Sequence, residues 1–392
     1  MENNTLSTQF LLRPDITFLN FGSFGACPKP VFETYQQFQR ELEAEPVQFI
    51  TVTGPAYLKK AREALGAYIH CPADDVVFTT NPSYAVNIIA KSFPLKNGDE
   101  ILSTNLEYGA LDRTWNYYCR KAGAKYVRQP ITLPLTTKEK FIEDFFKGLT
   151  PNTKAIFIGQ ITSATALIFP VKEICEIAKE KGLFTIVDGA HVPGHIALDL
   201  SALKADVYTG ACHKWMCAPK GCSFLYVKKE HQSMFDPLVV SWGYESAAPS
   251  HSQFIDYHQM QGTRDFSAFC TVPKNIAFLT ENNWPERAAE CRALAHKNYQ
   301  RFCDLVGSQP LCPVTDEFLG QMCSIPIKTS EPVKLKQLLY EKYKIEIPVM
   351  PHEEHVFIRY SIQVFSSQKD LDRLYEALSE ILKETDLIQK FV

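Results

Sequence analysis

The sequence predicts an α/β protein built on a largely parallel sheet, and three observations carry that prediction. Between about residues 76 and 228, short apolar runs alternate with segments whose apolar residues recur at helical spacing. Runs such as Ala155-Ile156-Phe157-Ile158 and Thr185-Ile186-Val187 are apolar without alternation, as strands buried on both faces are. Each run also ends in polar or ionisable residues, and such sheets bind their ligands at the carboxyl ends of the strands. At 392 residues the chain is long for one core, which predicts a second domain.

The elements follow in order. Residues 1–20 read as an arm, polar at first and strand-like at Ile16-Thr17-Phe18-Leu19-Asn20. The next stretch, Phe21-Gly22-Ser23-Phe24-Gly25, is either a loop that brings backbone close to a ligand or a plain turn. Helical patterns at 31–44 and 55–68 are interrupted by Pro46. A strand at 76–79 runs into Thr80-Asn81-Pro82-Ser83-Tyr84 and then a helix. Free amides in that first turn can hold an anion, though an Asn or Ser side chain can equally serve as a simple cap. A strand at 101–104 leads to Tyr108, placed to stack on a ligand or to pack, and then to a helix with Leu111, Trp115 and Tyr118 on one face. A strand near 125–127, a helix over 136–146, and the strand 155–158 ending at Gln160–Ser163 come next. A helix over 171–181, with Ile174, Ile177 and Ala178 inward, stops at Gly182.

Two further strand ends carry an acid and an amine. Thr185-Ile186-Val187 runs into Asp188, and the apolar run 205–209 leads to Cys212-His213-Lys214. A turn at 218–221 gives way to a strand at 223–227. Residues 232–269 are weakly periodic and rich in aromatics, Ser and His, the character of a functional loop or an interface. A helical pattern over 273–305, broken at Trp284, leaves the sheet. Strands at 322–327 and 355–361, with helices at 333–342 and 369–382, form an α+β set.

Composition narrows the function. The net charge is −3 with both signs interspersed, so there is no basic stripe for nucleic acid. The N-terminus lacks a basic segment followed by an apolar run, and no window is apolar enough to cross a bilayer, so the reading is a cytoplasmic protein. The 12 cysteines are scattered and read as free thiols. Cys212, Cys217 and Cys222 have no CxxC or HxxxH companion, and no metal is expected. A lysine and an acid at neighbouring strand ends, with an anion site and an aromatic nearby, suit pyridoxal phosphate. That cofactor needs a Schiff-base lysine, an acid against its ring nitrogen and a phosphate cradle.

These residues resemble a fold-type I pyridoxal-phosphate enzyme of class V, in the cysteine desulfurase superfamily. Within it they are most similar to the isopenicillin N epimerase-like and cysteine-conjugate C–S lyase-like proteins. The resemblance runs from about Phe18 to Leu378. It rests on VDGAH at 187–191, HKW at 213–215, APKG at 218–221, QGTRD at 261–265 and IRYS at 358–361. It implies a large cofactor-binding domain over 21–272, with a mostly parallel seven-stranded sheet sandwiched by helices, and a smaller α+β domain over 273–392. Lys214 would carry the cofactor, Asp188 would face the pyridine nitrogen, and His191 would reach the phenolic oxygen. Tyr108 would stack on the ring, and Ser83, Tyr84 and His213 would hold the phosphate, with Ser163 also against the cofactor. Gly262 and Thr263 would reach the phosphate of a neighbouring subunit, implying a homodimer with shared sites. Arg359, with Asn20 and Ser23 nearby, would take the carboxylate of an amino-acid substrate.

The departures are informative. Ser163 stands where desulfurases carry Asn, and Ala211 where they carry Ser. The loop 348–352 before Arg359 lacks their sulfur-attacking cysteine. The resemblance therefore implies chemistry at Cα or Cβ, as an epimerase or a C–S lyase. An aminotransferase is the alternative, with a persulfide-forming desulfurase or a non-catalytic binding protein behind it.

Overall fold

The computed structural model describes residues 6–391, so the start of the expected arm lies outside them. Its centre is a seven-stranded sheet: β1 (Val76–Thr79), β2 (Glu100–Thr104), β3 (Lys125–Gln129), β4 (Thr153–Gly159), β5 (Phe184–Gly189), β6 (Val207–Gly210) and β7 (Ser223–Val227). The spatial order is β1-β7-β6-β5-β4-β2-β3, and only β7 runs against its neighbours. The strand residues dictate the double covering. Successive side chains of a strand point to opposite faces, so Ala155 and Phe157 enter one core while Ile156 and Ile158 enter the other.

Helices α1 (Pro82–Ser92) and α2 (Gly109–Ala122) cover the first face. They bury Ala85, Ile88 and Ile89 from α1, and Leu111 and Trp115 from α2. Trp115 meets Phe157 at 5.6 Å between ring centres. Helix α3 (Val171–Glu180) lies on the other face and buries Ile174 and Ala178. Tyr118 and Ile177, expected inward, are only half-buried, because they sit at the margins of their helices' apolar stripes.

The C-terminal part holds a three-stranded antiparallel sheet of β8 (Met322–Ile327), β9 (Val349–His352) and β10 (His355–Ser361), in the order β9-β10-β8. Residues 348–352, read as a loop from sequence, are thus mostly strand. Their pairing with β10 is not visible in a run broken by two prolines. The long helix α4 (Trp284–Val306) buries Tyr299, whose hydroxyl donates to Ser324 O at 2.7 Å. Helix α5 (Gln368–Glu384) starts with Ser367 and Asp370 capping each other's backbone. The chain's first strand is Thr17–Phe18 rather than 16–20. It pairs in parallel with Ile345–Glu346, and Asn20 bridges to Ser361.

Other boundaries moved for local reasons. The helix expected over 136–146 begins at Lys138, because the Thr137 hydroxyl caps the Lys140 amide. The pattern at 273–305 is two helices, Val272–Glu281 and α4, separated where Asn283 turns left-handed. Pro46 does not stop the chain from coiling. It opens a new turn, where its missing N–H costs nothing, and helical turns continue to Gly54–Ile69. Within the stretch 232–269, a helix at Gln253–Gln259 buries Phe254 and Ile255.

Candidate active site

From β2 the chain moves outward to β3 and then returns to β4 on the other side of β2. The connections therefore leave the sheet in opposite directions, and a crevice opens at the carboxyl ends. A cavity of about 300 Å³ lies there. It is lined by Asn81 and Ser83 from the start of α1, Glu107 and Tyr108 after β2, and Ser163 after β4. Asp188 and His191 from β5, His213 and Lys214 after β6, and Ser23 complete it. A second groove of about 720 Å³ shares no lining residue with it and lies against the loops around Leu133, Ser308 and His355.

Lys214 is half-buried in the cavity wall, and its Nζ lies 3.1 Å from His191 Nε2. Burial lowers its pKa to about 7, helped by the positive charge of Arg359 and opposed by Asp188. Asp188 makes no ion pair with Lys214. The only hydrogen bond to its carboxylate among the described residues is from the Ala190 amide to Oδ1 at 2.9 Å. Burial pushes its carboxyl above the ordinary value, against that amide and the Lys214 charge. An acid with a free oxygen and an amine thus face one cavity without touching. His191 is held well below its ordinary value by burial and by the charges of Lys214 and Arg359, so its ring is neutral.

At the other end of the cavity Asn81 Oδ1 caps α1 by accepting from the Tyr84 amide at 2.8 Å. Of the two sequence readings of this loop, the cap is present. Ser83, at the second position of the helix, still faces the cavity beside it. His213 Nδ1 lies 2.8 Å from Cys222 O, an acceptor, so that nitrogen carries the proton and Nε2 is left with a lone pair. Burial lowers His213 to about 4. Tyr84 does not line the cavity; its hydroxyl donates to Gln261 Oε1 at 2.8 Å. Tyr108 covers the cavity and is 49% exposed.

Arg359 arrives from β10 and is 1% exposed. Its guanidinium donates to Ser163 O and, at 3.1 Å, to Ser23 Oγ, while Nε is buried without a partner. Burial lowers its pKa to about 10, and it stays charged at neutral pH. Asn20 reaches it only indirectly, by accepting from the Ser23 hydroxyl. The glycines of 21–25 serve this close packing rather than a ligand. A Cβ on Gly25, at φ +65, would lie 2.3 Å from His213 O, and one on Gly22 would strike Met322. Gly262 and Thr263 are exposed and do not line this chain's own cavity.

Two residues that sequence reasoning passed over belong here. Glu107 is 3% exposed; Thr104 Oγ1 and the Gly159 amide each sit 2.8 Å from its carboxyl oxygens. Burial raises its pKa to about 8, so it is a neutral acid that ties the end of β2 to the end of β4. Its sequence signal, a Glu between a strand end and an aromatic, is too common to single out. Trp215 was visible only as part of a motif, and its indole lies directly behind His191. Among the described residues no group of three or more His, Cys, Asp or Glu is arranged to hold a metal, and all twelve cysteines are free.

A sheet covered on both faces, with an amine and a buried acid facing one cavity at its carboxyl ends, is an arrangement suited to a carbonyl cofactor. The comparisons agree. The class-V aminotransferase family model matches residues 25–374. The isopenicillin N epimerase of Amycolatopsis lactamdurans is 31% identical over 389 residues, covering 96% of this chain and 97% of the relative. An L-cysteine desulfhydrase of Arabidopsis thaliana is 25% identical and covers 93% of this chain and 88% of its own. Among solved structures, the cysteine desulfurase of Thermococcus onnurineus superposes with a TM-score of 0.83 at 18% identity, covering 96% and 97% of the two chains. The chain belongs to the class-V aminotransferase family, and pyridoxal 5′-phosphate is its cofactor.

Proposed function

We propose that the protein removes the Cα proton of an amino acid bound to pyridoxal 5′-phosphate, leading either to epimerisation or to loss of a sulfur group from Cβ. The observation that carries this reading is that the Lys214 amine and the Asp188 carboxylate face one cavity without touching, with burial lowering the pKa of the amine. The residues present suit the cofactor: Asp188 has an oxygen free for a ring nitrogen, and Ser83 lies at a helix start suited to a phosphate. His213 and Tyr108 both line the cavity and would flank the phosphate and the ring. Bound there, the cofactor supplies an electron sink for the carbanion formed at Cα. Lys214 takes and returns the Cα proton, a general-base task that needs an unprotonated amine at working pH. Arg359, held by the cavity-lining Ser23 and Ser163, supplies the positive charge that draws the substrate α-carboxylate.

The 31% identity with an isopenicillin N epimerase supports epimerisation. One observation favours elimination as a second reading: among the described residues Lys214 is the only amine lining the cavity, and elimination needs just one base. No cysteine stands on β9, so persulfide formation lacks its nucleophile. Transamination is the less supported outcome. Incubation of L-amino acids and cysteine conjugates in deuterated water tests the reading. Cα deuterium with inverted configuration supports epimerisation, and pyruvate with ammonia supports elimination. Turnover only with an added keto acid would replace both with transamination.

We further infer a homodimer. Gly262 and Thr263 are exposed, as the partner-reaching loop of the family requires, and Trp242 nearby in sequence is 86% exposed. The division into a cofactor-binding part over 21–272 and a smaller part over 273–392 is supported by the separate seven-stranded and three-stranded sheets. No helix of the described residues is long and apolar enough to cross a membrane, which supports a cytoplasmic reading.

A further inference from the structure

Trp215 follows Lys214 directly, yet its fully buried ring turns back beneath His191. Its indole N–H donates to His191 Nδ1 at 3.3 Å. An indole nitrogen can only donate, so the atom it meets must accept. A neutral imidazole has one proton, and with Nδ1 accepting, that proton sits on Nε2. That nitrogen is the one 3.1 Å from Lys214 Nζ.

The indole is itself held firmly. His195 stacks on it with ring centres 3.9 Å apart and planes 21° from parallel, and Phe21 meets its edge at 5.1 Å. His195 is pinned at both nitrogens, by His191 O at 2.9 Å and by the Gln321 amide at 2.6 Å. Gly194, at φ +82, lets the chain pass so close that a Cβ there would lie 2.4 Å from Trp215 O. The indole N–H therefore has a fixed direction.

We propose that Trp215 is a positioning residue that locks His191 in its Nε2–H form, so that the ring offers the Lys214 amine a hydrogen-bond donor and never an acceptor. The inference rests on the reading of Lys214 as the cofactor lysine, but its first test does not. A donor aimed at Nζ favours the neutral amine and disfavours the ammonium ion. The other charged or titratable groups around Lys214 are Arg359 from β10, Asp188 from β5 and His213 beside it. Asp188 alone favours the ammonium form, so the His191 proton works with Arg359 against it.

Trp215→Phe keeps an aromatic ring beside His195 and removes the N–H together with the rest of the pyrrole ring. His191 is then free to move its proton to Nδ1 and accept from a Lys214 ammonium. Nitrogen-15 spectra of histidine-labelled, cofactor-free protein, assigned with His191→Gln, read the tautomer directly. The expected result is Nε2–H for His191 in the wild type and a mixed or reversed tautomer in Trp215→Phe. The second readout is the pH profile for capture of added pyridoxal 5′-phosphate. Its midpoint should rise by about one pH unit, slowing capture at pH 7 about fivefold. Nδ1–H in the wild type overturns the proposal even if the variant fails to fold. An unchanged tautomer in a folded Trp215→Phe protein overturns it too, whatever its melting temperature. A wild type that shows Nε2–H but captures no cofactor would leave this lock standing and sink the cofactor reading instead.

Discussion

The acidity of Lys214 sets a sharp test of the site. A lysine in water has a pKa of about 10.4, so at pH 7 only about one in three thousand is a free amine. In the cavity wall Lys214 is lowered to about 7, so about half of it is free at that pH. Only the free amine attacks an aldehyde. The perturbation is pH itself, applied to cofactor-free protein, and the assay is the initial rate of capture of pyridoxal 5′-phosphate followed by absorbance. The rate should climb about tenfold per pH unit on the acid side and flatten just above pH 7. Arg359→Met removes the second cause of the lowering and should move the plateau to higher pH. A rate still climbing tenfold per unit beyond about pH 9 would refute the argument, because it would mean a lysine in a water-like setting.

Other outcomes follow from the same geometry. The folded-state pKa of Lys214 is depressed, so the cost of its burial is full below about pH 7 and fades as pH rises toward the unfolded value. Lys214→Met should therefore stabilise cofactor-free protein by about 1–4 kcal/mol at pH 6 and by less at pH 9, read by thermal unfolding at the two pH values. Arg359→Lys keeps the charge but loses the planar fork, and kcat/KM should fall about 10- to 100-fold, with little change for substrates lacking the α-carboxylate. Glu107→Gln should melt within a few degrees of the wild type at pH 7, because the neutral acid and the amide pair alike with Thr104 and Gly159. Glu107→Ala should cost about 1–3 kcal/mol by leaving the Gly159 amide unpaired. Gly189→Ala would put a methyl 1.9 Å from the Tyr208 hydroxyl, and loss of folded yield or at least about 1–3 kcal/mol of stability is expected by denaturant titration.

The sheet was legible because its strands are buried on both faces, so Ala155–Ile158 and Thr185–Val187 announce themselves as unbroken apolar runs. Lys214, Asp188 and His191 were legible because they follow such runs and stand in recognisable motifs. What stayed hidden depends on distant pairing. Strand β9 exists only by its bonds to β10, and Thr17–Phe18 only by those to Ile345–Glu346. Glu107 becomes a site residue because the end of β4 closes over it, which no local pattern encodes. The direction of the Trp215 indole is likewise a property of His195 and Gln321, not of its neighbours in the chain.

The pairing of Thr17–Phe18 with Ile345–Glu346, and of Asn20 with Ser361, joins segments more than three hundred residues apart. As the chain leaves the ribosome, the cofactor sheet is complete by Val227, yet the strand Thr17–Phe18 has nothing to pair with until Ile345 and Glu346 emerge. Ser23 waits with it, and Arg359 has not yet been made. A nascent chain can thus assemble the Lys214 and Asp188 surfaces long before it can grip a substrate carboxylate. On the proposed role of Arg359, grip comes only after both of those surfaces are made, and a chain cut short near residue 340 would be born without it.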